Sequence, residues 1–297
     1  MDRRSFLKGS ILAMALLVQG CATVPSRPDG SREPLTIDAL LAQGARTMWV
    51  APHPDDEFSV GSILAKCSIV HQNPLYMLVL THDEGSECDL PEGCPDMPTL
   101  RGKEMSAVAE RYHAELQNEY YFDASLPVES FPKRHETWDL WLKKGDPIPV
   151  VAKAIRRFKP DLLLTFEPTH GYTGHPEHQL TSRVATAAIR MAADPAVDLD
   201  GLPPHRTGRT YYVLNRFWVF VMMGEADPQP VTEEFDATQP CTGSMTCQDF
   251  MSEATRLHRT QENDMGNVRY FRSAFKTVYL RQVDPWTDIR PVDEKVP

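Results

Sequence analysis

The chain has 297 residues and a formal net charge of −10, from 31 basic and 41 acidic side chains. An acidic chain without a basic stripe excludes nucleic acid and anionic polymers as partners, though not neutral sugars. The length suits one sizeable core and is small for two domains.

At the N-terminus, Arg3-Arg4-Ser5-Phe6-Leu7-Lys8 is a basic region with paired arginines. Residues 11–18 are apolar but well short of the roughly 20 residues that span a bilayer. Leu17-Val18-Gln19-Gly20-Cys21 has the pattern of a bacterial lipobox, with an ordinary cleaved signal as the alternative. Residues 1–20 are thus expected to form a twin-arginine export signal, with Cys21 lipidated. The protein would then be an exported, periplasmic or cell-envelope lipoprotein, tethered to a membrane rather than spanning it. Ala22 after the cysteine favours the outer membrane. Residues 21–45 read as a flexible tether, and 46–297 as a single catalytic domain.

Residues 48–51 are predicted as a strand and 58–70 as a helix. The near-continuous apolar run 75–80 has the signature of a strand buried on both faces. A helix over 99–115 with Thr99 as its cap, a strand at 120–122 and a helix over 150–158 follow. Pro160-Asp161 breaks that helix before a strand at 162–166. Leu180, Val184, Ala187, Ala188 and Met191 lie at helical spacing and predict a helix over 177–191. Alternating strands and helices make an α/β fold, with a mostly parallel sheet covered by helices on both faces. Residues 211–214 and 217–221 read as paired antiparallel strands added at an edge. After them come a loop over 224–247, a helix over 251–265 and a strand at 277–280.

Six cysteines include Cys21. Cys88 with Cys94, and Cys241 with Cys247, are close in sequence and read as local disulfides of an oxidising compartment, other pairings remaining open. Cys67 reads as a buried free thiol.

The chemistry concentrates after three strands. Ala51-Pro52-His53-Pro54-Asp55-Asp56-Glu57 follows the first, Thr81-His82-Asp83-Glu84-Gly85 the second, and His170 to His178 the strand at 162–166. Ligands of open α/β sheets bind at the carboxyl ends of the strands, so all three segments fall on one edge. Imidazole and carboxylate are zinc ligands, and the combination points to a metal hydrolase. The plainer alternative makes these segments helix starts, with Asp55 as a cap and Asp56-Glu57 favoured by the helix dipole.

The Ala-x-His-Pro-Asp-Asp-Glu motif, the later His175-Pro176-Glu177-His178 and the helix before Glu115 resemble the LmbE-like (PIG-L) N-deacetylases, over roughly residues 46–280. The resemblance implies a Rossmann-like sheet and one zinc ion per chain, held by His53, Asp56 and His178. It implies Asp55 as general base and His175 as the group that polarises the carbonyl. Glu177, where the family more often has Asp, would orient His175. Arg101, in an Arg-x-x-Glu with Glu104, would contact substrate, although a solvated ion pair reads equally well. Asp83 stands where the family commonly has Gly, and His258-Arg259-Thr260-Gln261 resembles a short His-x-Ser-Gln pattern. Trp138, Trp141 and Trp218 are candidate sugar platforms, with core packing as the alternative.

The expected function is zinc-dependent removal of the N-acetyl group from an N-acetylglucosamine-containing glycan or glycoconjugate in the cell envelope. The alternatives are hydrolysis of another amide or acyl bond at the same site, or a non-catalytic sugar-binding lipoprotein. The oligomeric state is not legible.

Overall fold

Two strands whose residues are all buried set the architecture: β1 (Thr47–Ala51) and β4 (Leu162–Phe166). Apolar side chains on both faces require a layer of helices on each side. The computed structural model describes residues 35–217, 221 and 227–296. In it, β1 pairs in parallel with both β2 (Leu75–Val79) and β4. β3 (Glu115–Asn118) extends the sheet beyond β2, and β5 (Arg209–Leu214) extends it in parallel beyond β4. The antiparallel additions are β9 (Thr277–Val283) and β6 (Glu233–Asp236), giving the order β3-β2-β1-β4-β5-β9-β6. A hairpin, β7 (Pro240–Thr242) with β8 (Met245–Thr246), stands apart.

Alternate residues of the strands feed two cores. Trp49, Ala51, Leu164 and Phe166 pack on one face, with Trp49 and Phe166 edge to face at 5.1 Å. Met48, Val50 and Leu163 pack on the other, against α5 (Pro147–Phe158) and α7 (Pro176–Ala193). Trp138 and Trp141 of α4 (Arg134–Leu142) are buried in this second core, which is the packing alternative for both.

Several boundaries differ from the sequence expectation for local reasons. The expected tether is too long: Thr36 caps a helix, α1 (Ile37–Ala42), whose Ile37 and Leu41 are fully buried. The expected helix over 58–70 is α2 (Gly61–Ala65), preceded by a 3₁₀ turn at Asp56–Ser59 and continued by a π-helical turn at Lys66–Val70. Helix α3 (Met97–Arg111) starts before Thr99 because the Asp96 carboxylate accepts the Thr99 N–H. It stops at Arg111 because His113 takes a positive φ, and β3 then precedes the expected strand at 120–122. The expected helix over 251–265 is two, α8 (Cys247–Ala254) and α9 (Glu262–Tyr270), separated by two 3₁₀ turns. The expected loop over 224–247 contains β6, β7 and β8. Tyr211 to Leu214 pairs in parallel with β4 on one side, and its antiparallel partner on the other is β9. The other half, with Trp218, lies mainly outside the described residues, as do the export signal and Cys21.

Cys88 and Cys94 are bridged. Cys241 and Cys247 are not: both are thiols that face each other in a side-chain hydrogen bond, and Cys247 Sγ also lies 3.8 Å from the Pro240 carbonyl. Cys67 is a buried thiol.

Candidate metal and catalytic site

The strand order reverses direction at β1 and β4, where one half of the sheet continues to β2 and the other to β5. A crevice opens beyond the carboxyl ends of strands at such a switch point. Residues 53–56 leave β1 there, and residues 167–178 leave β4.

The first segment turns sharply. Asp55 adopts φ 95°, ψ −25°, in the left-handed region, at a cost of order 1–3 kcal/mol for a non-glycine residue. The turn folds the Asp56 carboxylate back, so that its Oδ2 accepts the His53 backbone N–H at 2.9 Å. The second segment forms a short turn, α6 (Gly171–Gly174), before α7. Gly171 has φ +66°, and a Cβ there would press on Gln179 and His178, so glycine is required. α7 begins at Pro176 and brings His178 inward in its first turn, where Phe166 stacks on the imidazole at 4.4 Å.

Three side chains converge. His53 Nδ1 and His178 Nε2 are 3.2 Å apart. Asp56 Oδ1 is 3.1 Å from His178 Nε2, and Asp56 Oδ2 is 3.4 Å from His53 Nδ1. A tetrahedral shell with ligands roughly 2.0–2.2 Å from its ion has ligand–ligand edges of about 3.3–3.6 Å. The outer nitrogens fix the protons. His178 Nδ1 donates to the Gly171 carbonyl at 2.8 Å, and His53 Nε2 faces Asp123 Oδ1 at 3.1 Å. Each neutral ring therefore turns a lone pair toward the Asp56 carboxylate. Three lone-pair donors at these distances repel unless a cation or an added proton lies among them, so the donor set fits a metal ion.

Without a metal, a proton serves. Burial alone would lower the pKa of His53, but Asp123 and Asp56 outweigh it and hold it well above the usual value. Burial alone would raise Asp56, but His178 and His53 hold it well below the carboxylate range. Two further groupings share His53: with His175 and His178, and with Asp83 and Asp123. Asp83 is already paired with Arg101.

Asp55 lies beside the triad and faces Arg101 Nη2, 3.2 Å from its Oδ2. Burial pushes its carboxyl up to about 6, Arg101 opposing and Asp56 adding. His175 sits with ring centroids 4.8 Å from His53 and 5.1 Å from His178. Its Nδ1 is 2.5 Å from Glu177 Oε2, and Glu177 Oε1 accepts the Ala124 N–H at 2.9 Å. Glu177 thus ties His175 to the segment carrying Asp123. Burial, with help from His53, lowers the pKa of His175 against the pull of Glu177.

His53, Asp55, Asp56, His175, Glu177 and His178 are therefore gathered at one place. Arg101 is not at the surface of the crevice: its side chain is fully buried. Asp123 was missed because it lies in irregular chain after β3, where only its position on the sheet edge could have marked it. His258 was passed over as part of too short a pattern. It is fully buried, and its Nε2 lies 2.9 Å from Glu57 Oε1, directly behind Asp56.

Residues 48–189 match the family described as PIG-L, GlcNAc-PI de-N-acetylase. The chain is similar to 1D-myo-inositol 2-acetamido-2-deoxy-α-D-glucopyranoside deacetylase 1 of Catenulispora acidiphila, at 26% identity over 215 residues, 66% of this chain and 61% of the relative. The deacetylase of that name from Streptomyces griseus is 40% identical over 135 residues, 45% of this chain and 39% of the relative. The chain thus spans less than two thirds of the length of these curated relatives. Among solved structures, it resembles N,N'-diacetylchitobiose deacetylase of Pyrococcus horikoshii with a TM-score of 0.59 and 18% identity, covering 83% of this chain and 87% of that one. It also resembles the 4-carboxy-2-hydroxymuconate hydratase of Pseudomonas putida, with a TM-score of 0.56 and 15% identity over 81% of this chain and 97% of that one. At such identities the likeness is one of fold, and a fold shared with a hydratase leaves the reaction to the site. The expected localisation is overturned: the curated relatives are named for a small inositol-linked amino sugar, not an envelope polymer.

Proposed function

We propose, from the match of residues 48–189 to the PIG-L (LmbE-like) deacetylase family, that the chain is a zinc-dependent N-deacetylase of small N-acetylglucosamine-bearing glycosides. The observation that carries this reading is the convergence of His53 Nδ1, His178 Nε2 and the Asp56 carboxylate within 3.1–3.4 Å of one another, beside a further carboxylate. The names of the curated relatives support the amino-sugar substrate.

In this reading His53, Asp56 and His178 hold one zinc ion. When bound, the ion supplies Lewis acidity to the attacking water and the amide carbonyl. Three protein ligands would leave an open position, as a catalytic zinc site has. Asp55 accepts the proton of the water and later returns it to the leaving amine; a positioned acid–base group contributes about 10²–10⁴-fold. Arg101, 3.2 Å from its Oδ2, opposes the rise that burial gives the Asp55 carboxyl and favours the ionised form a base needs. His175 Nδ1–H is committed to Glu177, so its Nε2 donates to the carbonyl oxygen only as imidazolium. Glu177 favours that form against the burial that lowers the pKa of His175, and charge building on the oxygen favours it further.

The test is acetate release from N-acetylglucosamine glycosides by the full chain, run metal-free, zinc-restored and as Asp55→Asn. Zinc-dependent release is expected, lowered by about 10²-fold or more in Asp55→Asn, with zinc still bound. Stoichiometric zinc without acetate release from any N-acetylglucosamine glycoside would remove the deacetylase reading.

A further inference from the structure

Residues 284–296, beyond β9, form no helix or strand, yet two arginines of α7 hold them along that helix. Arg183 and Arg190 lie about two turns apart and so share a face. Arg190 Nη1 donates to the Pro285 carbonyl at 2.7 Å. Arg183 Nη1 donates to the Pro291 carbonyl at 2.7 Å and to Glu294 Oε2 at 2.6 Å. Arg134, at the start of α4, reaches the same carboxylate: its Nη2 donates to Glu294 Oε2 at 3.2 Å and to the Glu294 carbonyl at 3.3 Å. The Glu294 side chain is 52% exposed, whereas Arg134 and Arg183 are buried. One carboxylate at the surface thus answers two buried guanidinium groups from two helices. Burial and the charge of Arg183 already hold the Arg134 pKa below its ordinary value, with Glu294 opposing.

The remaining nitrogens of both arginines reach the segment that carries His175 and His178. Arg183 Nε donates to the Pro168 carbonyl at 3.1 Å, just beyond β4. Arg134 Nη1 donates to Gln179 Oε1 at 3.0 Å. Gln179 in turn lies against Gly171, where an added Cβ would stand 2.7 Å from its Cγ. The Gly171 carbonyl is the acceptor that fixes His178 Nδ1–H. Between these two supports the backbone is strained, with Gly171 at φ 66° and Tyr172 at φ 61°, ψ −53°. Such a conformation persists only where its surroundings over-determine it.

We propose that Glu294 is a positioning residue: by holding Arg134 and Arg183 against residues 168–179, it keeps that segment in the shape that aims His178 at the metal position. The effect on zinc and turnover rests on the deacetylase reading, and the effect on the segment does not. Without the carboxylate, two like charges remain side by side in the fold, and each is freed to turn away from Pro168 or Gln179.

The test uses Glu294→Ala and Glu294→Gln in the full chain. The side chain is half exposed, so neither change opens a cavity in the core; glutamine keeps an acceptor and removes only the charge. Hydrogen exchange of the metal-free chain reads the segment without turnover. It should accelerate over residues 168–180 in Glu294→Ala, less so in Glu294→Gln, and stay at the wild-type rate over residues 55–60. Competition with a chromophoric chelator should show zinc held about tenfold more weakly, the lower end of the loss expected when the support of a metal-bound histidine is disturbed. Under saturating zinc, kcat on methyl N-acetylglucosaminide should fall while KM stays within roughly twofold. Exchange that accelerates only over residues 284–296, with zinc affinity unchanged, would show that the carboxylate holds nothing but its own segment and would overturn the proposal. Uniform acceleration along the whole chain would reduce Glu294 to general stability and overturn it as well. A wild type that releases no acetate would sink the deacetylase reading, while the exchange over residues 168–180 would still decide the positioning.

Discussion

Replacing Asp123 by asparagine tests the geometry of the metal donors more sharply than removing a donor outright. Asp123 Oδ1 lies 3.1 Å from His53 Nε2, and Oδ2 accepts the Gly85 N–H at 2.8 Å. Asparagine keeps one acceptor, replaces the other by NH₂ and removes the charge. If the amide oxygen stays with His53, two donors meet at Gly85; if it turns, two donors meet at His53. Either way one buried hydrogen bond is lost and His53 loses its counter-charge. Losing the outer hydrogen-bond partner of a metal-bound histidine typically costs about 10–100-fold in metal affinity. That is about 1.4–2.7 kcal/mol. By linkage, the stabilisation given by a fixed excess of zinc falls by the same amount. A chain of this size loses about 2–4 °C per kcal/mol, so zinc should raise the melting temperature of Asp123→Asn by about 3–11 °C less than that of the wild type. Competition with a chromophoric zinc chelator gives the affinity, and melting with and without zinc gives the linkage. Unchanged affinity would show that Asp123 does not orient His53. Complete loss of zinc at saturation would make Asp123 a ligand, with His53 binding through Nε2 in its grouping with Asp83.

Zinc binding at pH 7 should release protons, because His53 is held protonated in the metal-free chain by Asp123 and Asp56; calorimetry in buffers of different ionisation enthalpy measures this, and no buffer dependence would refute it. The sign for stability without metal follows from the same pair. Raised His53 stabilises below about 6.5 and loses that contribution as pH rises through its folded-state pKa, whereas lowered Asp56 stabilises above about 3.9 and loses its contribution as pH falls. Their combined contribution should therefore be largest between those values, and a metal-free melting profile showing the pair destabilising there would contradict it. His258→Ala removes the buried partner of Glu57 and should cost about 3–5 kcal/mol by denaturant melts; a cost under about 1 kcal/mol would mean that the fold does not rely on this pair. Cys88→Ser opens a short loop whose cysteines are 6 positions apart and should cost about 2 kcal/mol. An unchanged melting temperature would mean that Asp89, bonded to Thr260 and Asn263, fixes that loop unaided.

The gathering of donors was legible because position and residue type agree in few ways. A histidine and two carboxylates after one buried strand, and two histidines after another, are both forced to the carboxyl edge of a parallel sheet. Depth was not legible. Arg101 and Glu104 have the spacing of a solvated pair on a helix, and only packing against the turn at 258–261 reveals them as buried or half-buried supports. Asp123 belongs to no periodic pattern, and the strand expected at 120–122 would have made it a strand end. In fact β3 stops at Asn118, and the chain then runs along the edge of the crevice. The turn at 258–261 was hidden by a hydrophobic spacing that reads as one continuous helix. Thr255 ends that helix: it is buried, β-branched, and its hydroxyl donates back to the Ser252 carbonyl. The thiols of Cys241 and Cys247 show the limit of proximity in sequence as a guide to bridging.

These supports change what the family match means for this chain. The matched stretch, 48–189, contains every proposed ligand and the base. Yet His258 answers Glu57, Thr260 answers Arg101 and Glu104, and Gln261 donates to Ser86 and to the Glu87 carbonyl. All three lie outside that stretch and reach each of its first three site-forming segments: the turn after β1, the loop after β2, and α3. The later residues also complete the sheet, since β9 pairs with β5 and carries β6. The division is physical. Donors must stand at strand ends, where short-range sequence places them, whereas the groups that hold a strained turn and its buried charges can come from any distance along the chain, provided that they arrive paired. The 258–261 turn meets that condition at three points, so the chemistry encoded near residue 55 depends on residues two hundred positions later.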